Sequence, residues 1–146
     1  MPILIDTNLL LRSIQPAHPM HTSAVRAIEL LMERQDPLVV SIQNVAEFWN
    51  TATRPESKNG LGLPIEEVRE EVSKLEEFFE VLHETEASYA EWKTLVFGNR
   101  VTGVQVHDAR LVAVMKTAGI RRIVTFNIGD FKRYEGIEPI HPDAIL

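Results

Sequence analysis

Residues 3–8 of the chain read Ile-Leu-Ile-Asp-Thr-Asn, and this stretch decides the fold class. Three consecutive branched apolar residues are typical of a strand that is covered on both faces, as parallel strands are. The run ends at Asp6, and Thr7, Asn8 and the leucines that follow predict a turn into a helix. Open α/β sheets carry their chemistry at the carboxyl ends of such strands. Asp6 is therefore a candidate site residue, and N-capping of the helix is the alternative role.

The composition predicts a single soluble domain over residues 1–146. At this length one core buries roughly two-thirds of the surface of the unfolded chain. The chain is 45% hydrophobic and 25% charged, which is ordinary for a globular protein and argues against disorder. It contains no cysteine, which excludes disulfides, thiolate nucleophiles and cysteine-based zinc sites.

The sequence also limits location and partners. It has neither a secretory signal pattern nor an apolar run of membrane-spanning length, so we expect a cytoplasmic protein without a membrane partner. The formal net charge of −6 argues against non-specific electrostatic binding to nucleic acid. It still allows a nucleic-acid substrate that is held by local basic residues and metal ions.

Strand and helix patterns alternate along the chain. Helices are predicted after residues 3–5 as far as Ser13, and then at 18–36, 42–53, from Pro64, at 84–97 and at 107–117. Further strands are predicted at 38–40, 79–82, 123–125 and 137–140. This alternation predicts a three-layer α/β sandwich, with a mainly parallel central sheet flanked by helices.

The helix predicted at 42–53 carries two polar residues of interest. Ser41 is a plausible N-cap, and Asn44 and Glu47 are expected to point away from the apolar stripe of this helix. Without a functional role, Glu47 would be a solvent-exposed glutamate on the helix surface. Its position about two turns after a strand end keeps it as a candidate ligand. The apolar stripe, expected to face the core, consists of Ile42, Val45, Ala46 and Trp49.

Asp108 begins the helix predicted at 107–117. An acid in the first helical turn suits the helix dipole, which is the structural explanation. The spacing, however, aligns Asp108 with the apolar side of the helix, where a carboxylate is costly unless its charge is compensated. A functional role is therefore favoured. The predicted buried stripe consists of Leu111, Val112, Met115 and Ala118.

These patterns place several oxygen ligands at one edge of the sheet. Asp6 and Thr125 follow strands, and helices that start near Ser41 and His107 bring Glu47 and Asp108 toward the same edge. Clustered carboxylates repel one another unless cations neutralise them. Hard oxygen ligands without cysteine favour Mg²⁺ or Mn²⁺. The residues alone therefore indicate a metal-dependent phosphoryl-transfer site.

Four short motifs follow one another along the chain. They are Ile5-Asp6-Thr7-Asn8, Ser41-x-x-Asn44-x-x-Glu47, His107-Asp108-Ala109 and Val124-Thr125-x-Asn127-x-x-Asp130-Phe131. Each motif is weak alone, but their order and spacing together are specific. On these motifs the chain resembles the PIN-domain ribonucleases, and most of all the VapC-type toxins of bacterial toxin–antitoxin pairs. The resemblance runs from residue 3 to about 142.

The resemblance implies a PIN fold and a Mg²⁺- or Mn²⁺-dependent endoribonuclease acting on RNA. It makes Asp6 and Asp108 the central metal ligands, with Glu47 supporting the site. The chain departs from the family at the fourth acid: Asn127 stands where many members have an acid, and Asp130 is the nearest carboxylate. This puts a second metal in doubt more than the first. Orienting roles around the ligands fall to Thr7, Asn8, Asn44, Thr125 and Asn127.

Contacts with partners are expected from two sources. Arg12, Arg54 and Arg100 are candidate phosphate contacts, because each is predicted near the active edge. The resemblance also implies a homodimer and a small antitoxin protein as partner.

Three alternatives stay open from the sequence. An aspartyl-phosphate phosphatase also begins with an acid at a strand end, but it usually needs a second Asp where this chain has Asn8. A receiver-type signalling domain would need a phospho-acceptor Asp on the third strand and a strand-end Lys, and neither is evident. The third is a catalytically weak PIN module that binds RNA or protein, and Asn127 is the residue that favours it.

Overall fold

All five strands run parallel in one sheet, in a computed structural model that describes residues 1–146. Their order across the sheet is β3-β2-β1-β4-β5, so the first strand is central. Each predicted strand is confirmed with shifts of one residue at its ends. The strands are β1 Ile3–Ile5, β2 Leu38–Ser41, β3 Glu80–Leu82, β4 Arg122–Val124 and β5 Glu138–Ile140.

Six α-helices connect these strands, and each lies close to its predicted position. The main difference is at the second helix, which begins at His21 rather than near Pro19, with Met20 as an N-cap that supplies no side-chain hydrogen bond. No helix has the length and apolar character needed to cross a membrane. The helices are α1 Thr7–Ser13, α2 His21–Glu33, α3 Ile42–Thr53, α4 Ile65–Phe78, α5 Glu86–Gly98 and α6 Val106–Thr117.

The central strand shows why the domain has three layers. Side chains of a strand alternate between its two faces. Ile3 and Ile5 therefore join the core under α1 to α4, whereas Leu4 joins the second core under α5 and α6. All three side chains are fully buried. The predicted three-layer sandwich is confirmed.

The predicted orientation of α3 is wrong. Asn44 is fully buried and faces the core together with Phe48 and Ala52. The hydrogen bonds of Ser41 and Asn44 at the start of the helix fix this rotation, because they give the buried amide its partners. In the apolar stripe, Val45 and Trp49 are half-buried and pack against the edge of the core, while Ile42 and Ala46 are exposed. All four line an open groove shared with α4 and β3.

The predicted stripe of α6 is too narrow. Residues 111–115 are all buried, because this helix lies between the sheet and α5. Ala118, predicted to be buried, is exposed. Only the first turn and the last turn of α6 reach solvent, and Asp108 belongs to the first.

Candidate active site

The carboxyl ends of β1 and β4 lie side by side. The chain leaves β1 toward β2 on one side and returns to β4 on the other, which makes this the topological switch point where open α/β sheets bind ligands. Asp6 follows β1 and Thr125 follows β4, and the amide of Asp6 donates to the carbonyl of Val124 at 3.0 Å. The sheet topology therefore fixes both polar residues at one point.

Asp6 has two oxygens that are held by different donors. One accepts a hydrogen bond from the amide of Thr7 at 2.8 Å, so Asp6 is the N-cap of α1. This is the alternative role that the sequence suggested for it. The other accepts from the hydroxyl of Thr125 at 2.8 Å, and the amide of Asn8 lies 3.5 Å from it. The half-buried carboxylate thus has a fixed orientation toward the sheet edge.

Thr125 is the centre of a small network that orients Asp6. Its fully buried hydroxyl donates to Asp6 and accepts from the Asn8 side chain at 3.2 Å and from the Asn127 amide at 3.0 Å. The side-chain oxygen of Asn8 in turn accepts from the backbone amide of Phe126 at 3.4 Å. Asn127 enters this network through its backbone, while its side chain is exposed.

A second network connects α3 to the first turn of α1. The Asn44 side chain donates to the hydroxyl of Thr7 at 3.0 Å and accepts from the Ser41 amide and hydroxyl at 2.9 and 3.0 Å. Ser41, Asn44 and Thr7 are all buried, so no water can replace a lost partner, and each of these hydrogen bonds is needed to pair a buried polar group. The start of α3 is thereby held against the residue that follows Asp6.

Asp108 is half-buried and none of its neighbours donates a hydrogen bond to it. The pKa of its carboxyl group is raised to about 6, first by burial and then by the negative charges of Asp130, Asp6 and Glu47, while Arg133 opposes them. An acid left in this state is destabilising unless a cation or a donor compensates it.

The other two carboxylates differ from Asp6 and Asp108 in exposure. Glu47 and Asp130 are both exposed, the first on α3 and the second in the short 3-10 helix Ile128–Asp130. Both contribute to the raised pKa of Asp6, which reaches about 6 mainly because of burial. The acid expected at position 127 is absent, but Asp130 supplies a negative charge that acts on both Asp6 and Asp108.

The four carboxylates are of the right chemical type to bind a divalent cation, but they are not arranged around one point. All are hard oxygen donors, and their like charges are unfavourable without a counter-ion. In the conformation described, however, no three His, Asp or Glu side chains lie close enough together to enclose an ion. The convergence of Asp6, Glu47 and Asp108 expected from the sequence is therefore incomplete, because Asp6 is held by Thr7 and Thr125 and Glu47 extends into solvent.

The three arginines suggested as phosphate contacts are engaged elsewhere. Arg12 donates to Gln15 at 2.7 Å at the far end of α1, and Arg54 donates to the carbonyl of Asn59 at 3.1 Å. Arg100 lines a different cavity, beside Trp92 and the exposed side chain of Phe97. None of the three forms an ion pair with the four carboxylates.

Two arginines that the sequence reasoning missed stand nearer to the carboxylates. Arg133 lowers the pKa of Asp108, and the charge of Arg110 is coupled to Glu47. Arg110 also forms a two-pronged ion pair with Glu84. The only sequence signal for them was proximity, since Arg110 follows Asp108 by two residues and Arg133 follows Asp130 by three.

The raised pKa of Asp6 predicts a pH-dependent stability. The folded chain holds this proton up to about pH 6, whereas the unfolded chain loses it near 3.8, so the folded state binds more protons between these values. Stability must then fall as pH rises through this window, by about 2 to 3 kcal/mol. About half of this fall, roughly 1.4 kcal/mol, lies between pH 5 and pH 8, and Asp6→Asn should remove it in urea unfolding measured at these two values. Glu67→Gln, at an exposed position of α4, should leave the fall unchanged. An equal dependence of the free energy of unfolding on pH in the parent and in Asp6→Asn would contradict the prediction.

Comparisons with known proteins agree with this geometry. The sequence pattern of the PIN domain matches residues 3–137, and a search of curated proteins finds no match to the chain. Among solved structures, the VapBC2 complex of Rickettsia felis bound to promoter DNA contains a similar chain, with a TM-score of 0.71 and 16% identity over 97% of this chain and 98% of that one. The DNA-bound VapBC of Salmonella typhimurium gives a TM-score of 0.70 and 18% identity over 97% and 98% of the two chains.

A third similar structure is described as a toxin that cleaves the sarcin–ricin loop. It is VapC20 of Mycobacterium tuberculosis, with a TM-score of 0.60 and 20% identity over 83% of this chain and 86% of that one. At such identities the likeness establishes a shared fold. Together with the sequence match over residues 3–137, it shows that this chain belongs to the PIN-domain family and has the fold of the VapC toxins.

Proposed function

We propose that this protein is a metal-dependent endoribonuclease that hydrolyses phosphodiester bonds of RNA. The observation that carries the proposal is the state of Asp108, a half-buried carboxylate without a hydrogen-bond donor, beside three further carboxylates. A raised carboxyl pKa at the switch point of a parallel sheet is typical of a functional site. A purely structural acid at this position would have a donor or a cation as partner.

The proposal gives each carboxylate a role. Asp6 and Asp108 would hold the cation, with Glu47 completing its coordination and Asp130 adding negative charge in place of the acid missing at position 127. A divalent cation bound there supplies a more acidic water and neutralises charge on the phosphate. Thr125 and the amide of Thr7 keep the Asp6 oxygens in place, so that little reorganisation is needed at this ligand.

The choice of RNA as substrate rests on family membership and on one similar structure. The sarcin–ricin-loop cleaving toxin of Mycobacterium tuberculosis shares the fold. The aspartyl-phosphate phosphatase weighed from the sequence loses support at Asn8, which bonds to Thr125 and Asp6 instead of serving as a second acid. A weak binding module is disfavoured because Asp130 compensates for Asn127 in charge.

We further propose that the protein is the toxin of a toxin–antitoxin pair, with an antitoxin and a second copy as partners. Similar chains come from VapBC complexes. The groove between α3 and α4, lined by Val45, Trp49 and Leu75, offers an apolar surface of the kind that partner segments cover. On the opposite side, Phe97 and Val104 are 79% and 82% exposed, which suits a contact between copies.

The direct test is cleavage of RNA by the purified protein with and without divalent cations. With Mg²⁺ or Mn²⁺ we expect discrete endonucleolytic products from a structured RNA. Excess EDTA should remove the activity, because the carboxylates alone cannot supply the chemistry of the metal. Gel analysis of end-labelled RNA distinguishes internal cuts from exonucleolytic trimming. Cleavage that continues unchanged in EDTA would reject the proposal.

A further inference from the structure

A partly exposed aromatic platform lies on α5 and consists of Tyr89 and Trp92. Their ring centroids are 6.2 Å apart and their ring planes differ by 23°, which is an offset and nearly parallel arrangement. Tyr89 is 61% exposed, so its ring does not belong to the core. A single exposed apolar side chain needs no explanation. Two rings held nearly parallel at the surface, however, offer an ordered flat face on which a planar ligand can stack.

Trp92 holds the platform against the first turn of α6. Its indole nitrogen donates to the carbonyl of Val106 at 2.9 Å, and Val106 is the first residue of α6. Asp108 lies two residues further along the same turn. The platform is therefore joined by one helical turn to the carboxylate on which the proposed function depends.

A cavity of about 230 Å³ opens between α5 and α6 and is lined by both rings. It is smaller than the roughly 300 to 1,000 Å³ of pockets that hold drug-sized ligands, so it suits a single planar ring. Arg110 lines this cavity and also the larger cavity that Glu47 lines. The surface between the carboxylates and the platform therefore runs past Arg110.

Lys93 is the cation beside the platform that has no carboxylate partner. Its ammonium nitrogen lies 5.7 Å from the centre of the Tyr89 ring and forms no ion pair, whereas Arg110 is neutralised by one. Because α5 also carries Glu86 and Glu91, the platform does not attract anions by net charge. Its ligand should therefore combine a flat ring with an anionic group that Lys93 can reach.

A contact between copies is the competing use of this surface. Phe97 and Val104, the apolar residues that suit such a contact, lie at the other end of α5 and in the short 3-10 helix that follows it. The platform differs from them because a cation lies over its ring. Burying that ammonium group in a protein interface is unfavourable unless an acid pairs with it, whereas RNA brings a base and a phosphate together.

We infer that Tyr89 stacks on an unpaired base of the RNA that the active site cleaves, and that Lys93 contacts a phosphate of the same segment. Aromatic rings beside cations are a common means by which proteins hold single-stranded RNA. Every base has a π-face, so the platform adds affinity without a strong preference for one base. The inference rests on the proposed ribonuclease function, because it gives that site a contact with single-stranded RNA outside the carboxylates.

The test uses single-stranded oligoribonucleotides in which one base at a time is replaced by the fluorescent analogue 2-aminopurine. Stacking on an aromatic ring quenches this fluorophore, so we expect quenching at a few neighbouring positions in the parent. Tyr89→Ala should remove most of the quenching and raise Kd and KM about tenfold, with kcat within about twofold of the parent. Tyr89→Phe keeps the ring and should retain the quenching and the affinity.

The contribution of Lys93 is measured by the salt dependence of binding. Lys93→Gln should lower the slope of log Kd against log salt concentration by about 0.7, since one phosphate contact is lost. Lys58→Gln, in the exposed 3-10 helix after α3, removes the same charge and should leave the slope unchanged. Phe78→Ala is the control for the ring, because Phe78 is 59% exposed at the end of α4, where β3 is about to begin. It should leave Kd unchanged.

Two results would overturn the inference: Tyr89→Ala with the quenching and Kd of the parent, or Tyr89→Phe with the weak binding of Tyr89→Ala. Unchanged RNA affinity together with a lower oligomeric state of Tyr89→Ala in analytical ultracentrifugation would assign the surface to a contact between copies. A parent that binds RNA with the expected quenching but cleaves none rejects the proposed function alone. A parent that binds no RNA rejects both. Tyr89 is exposed, so its variants should fold, and Lys93→Gln tests the platform independently of them.

Discussion

Replacing Asp108 by asparagine is expected to lower RNA cleavage about a thousandfold. A bound metal stabilises the transition state by several kcal/mol, and each 1.36 kcal/mol corresponds to a factor of ten in rate. Asparagine keeps the shape of the side chain and one oxygen, but it removes the charge that would hold the proposed cation. The fold should survive, because Asp108 accepts no hydrogen bond from the protein and its charge is unfavourable there. Rates under single-turnover conditions with saturating Mn²⁺ measure the loss.

Asp36→Asn is the matched control for this experiment. Asp36 lies just before β2, at the opposite edge of the sheet, and pairs with Arg122 at 3.6 Å. Its substitution should leave cleavage within about twofold of the parent, since this half-buried pair lies at the amino ends of the strands, away from the proposed site. Thermal unfolding gives an independent readout, because Mn²⁺ should raise the Tm of the parent and of Asp36→Asn but not that of Asp108→Asn. An equal Mn²⁺ shift in all three proteins would show that Asp108 does not hold the cation.

The order of elements was predictable because the two central strands β1 and β2 begin as short apolar runs bounded by polar residues. Residues 3–5 and 38–40 contain only branched apolar side chains, which suit strands covered on both faces. The polar residue that ends a strand can likewise be recognised from its neighbours in sequence. Asp6 and Thr125 could therefore be assigned to one edge of a parallel sheet. Their mutual hydrogen bond confirms that placement.

The rotation of α3 could not be predicted from periodicity. The helix has two candidate buried faces: one with Ile42, Val45 and Trp49, and one with Asn44, Phe48 and Ala52. The first is more apolar, yet the second faces the core. The decisive factor is tertiary: the Thr7 hydroxyl and the start of α3 satisfy the Asn44 amide, and no spacing rule contains that information.

The arginines were the least predictable part of the site. Arginine side chains are long, and their partners depend on which loops come together in the fold. Arg12 and Arg54 were chosen for their position in the sequence but are bonded to Gln15 and Asn59. Arg133 faces Asp108 only because the segment after β4 folds back toward the first turn of α6, where Arg133 also donates to Gln105 at 2.7 Å.

Asn44→Ala is expected to lower the free energy of unfolding by about 2 to 5 kcal/mol. The substitution removes the partner of the Ser41 amide and hydroxyl and of the Thr7 hydroxyl, and each buried polar group left unpaired costs about 1 to 3 kcal/mol. This is a large share of the roughly 5 to 15 kcal/mol that stabilises a domain. Urea unfolding should show a lower midpoint at an unchanged slope.

Two further variants identify the cause of this loss. Asn50→Ala makes the same chemical change on an exposed position of the same helix, and it should alter stability by no more than about 0.5 kcal/mol. Asn44→Asp keeps an acceptor for Ser41 but loses the donor to Thr7 and buries a charge, so it should be more destabilising at pH 8 than at pH 5. If Asn44→Ala unfolds at the midpoint of the parent, the buried network does not hold α3 against the first turn of α1. The orientation of Asp6 must then depend on Thr125 and the Thr7 amide alone.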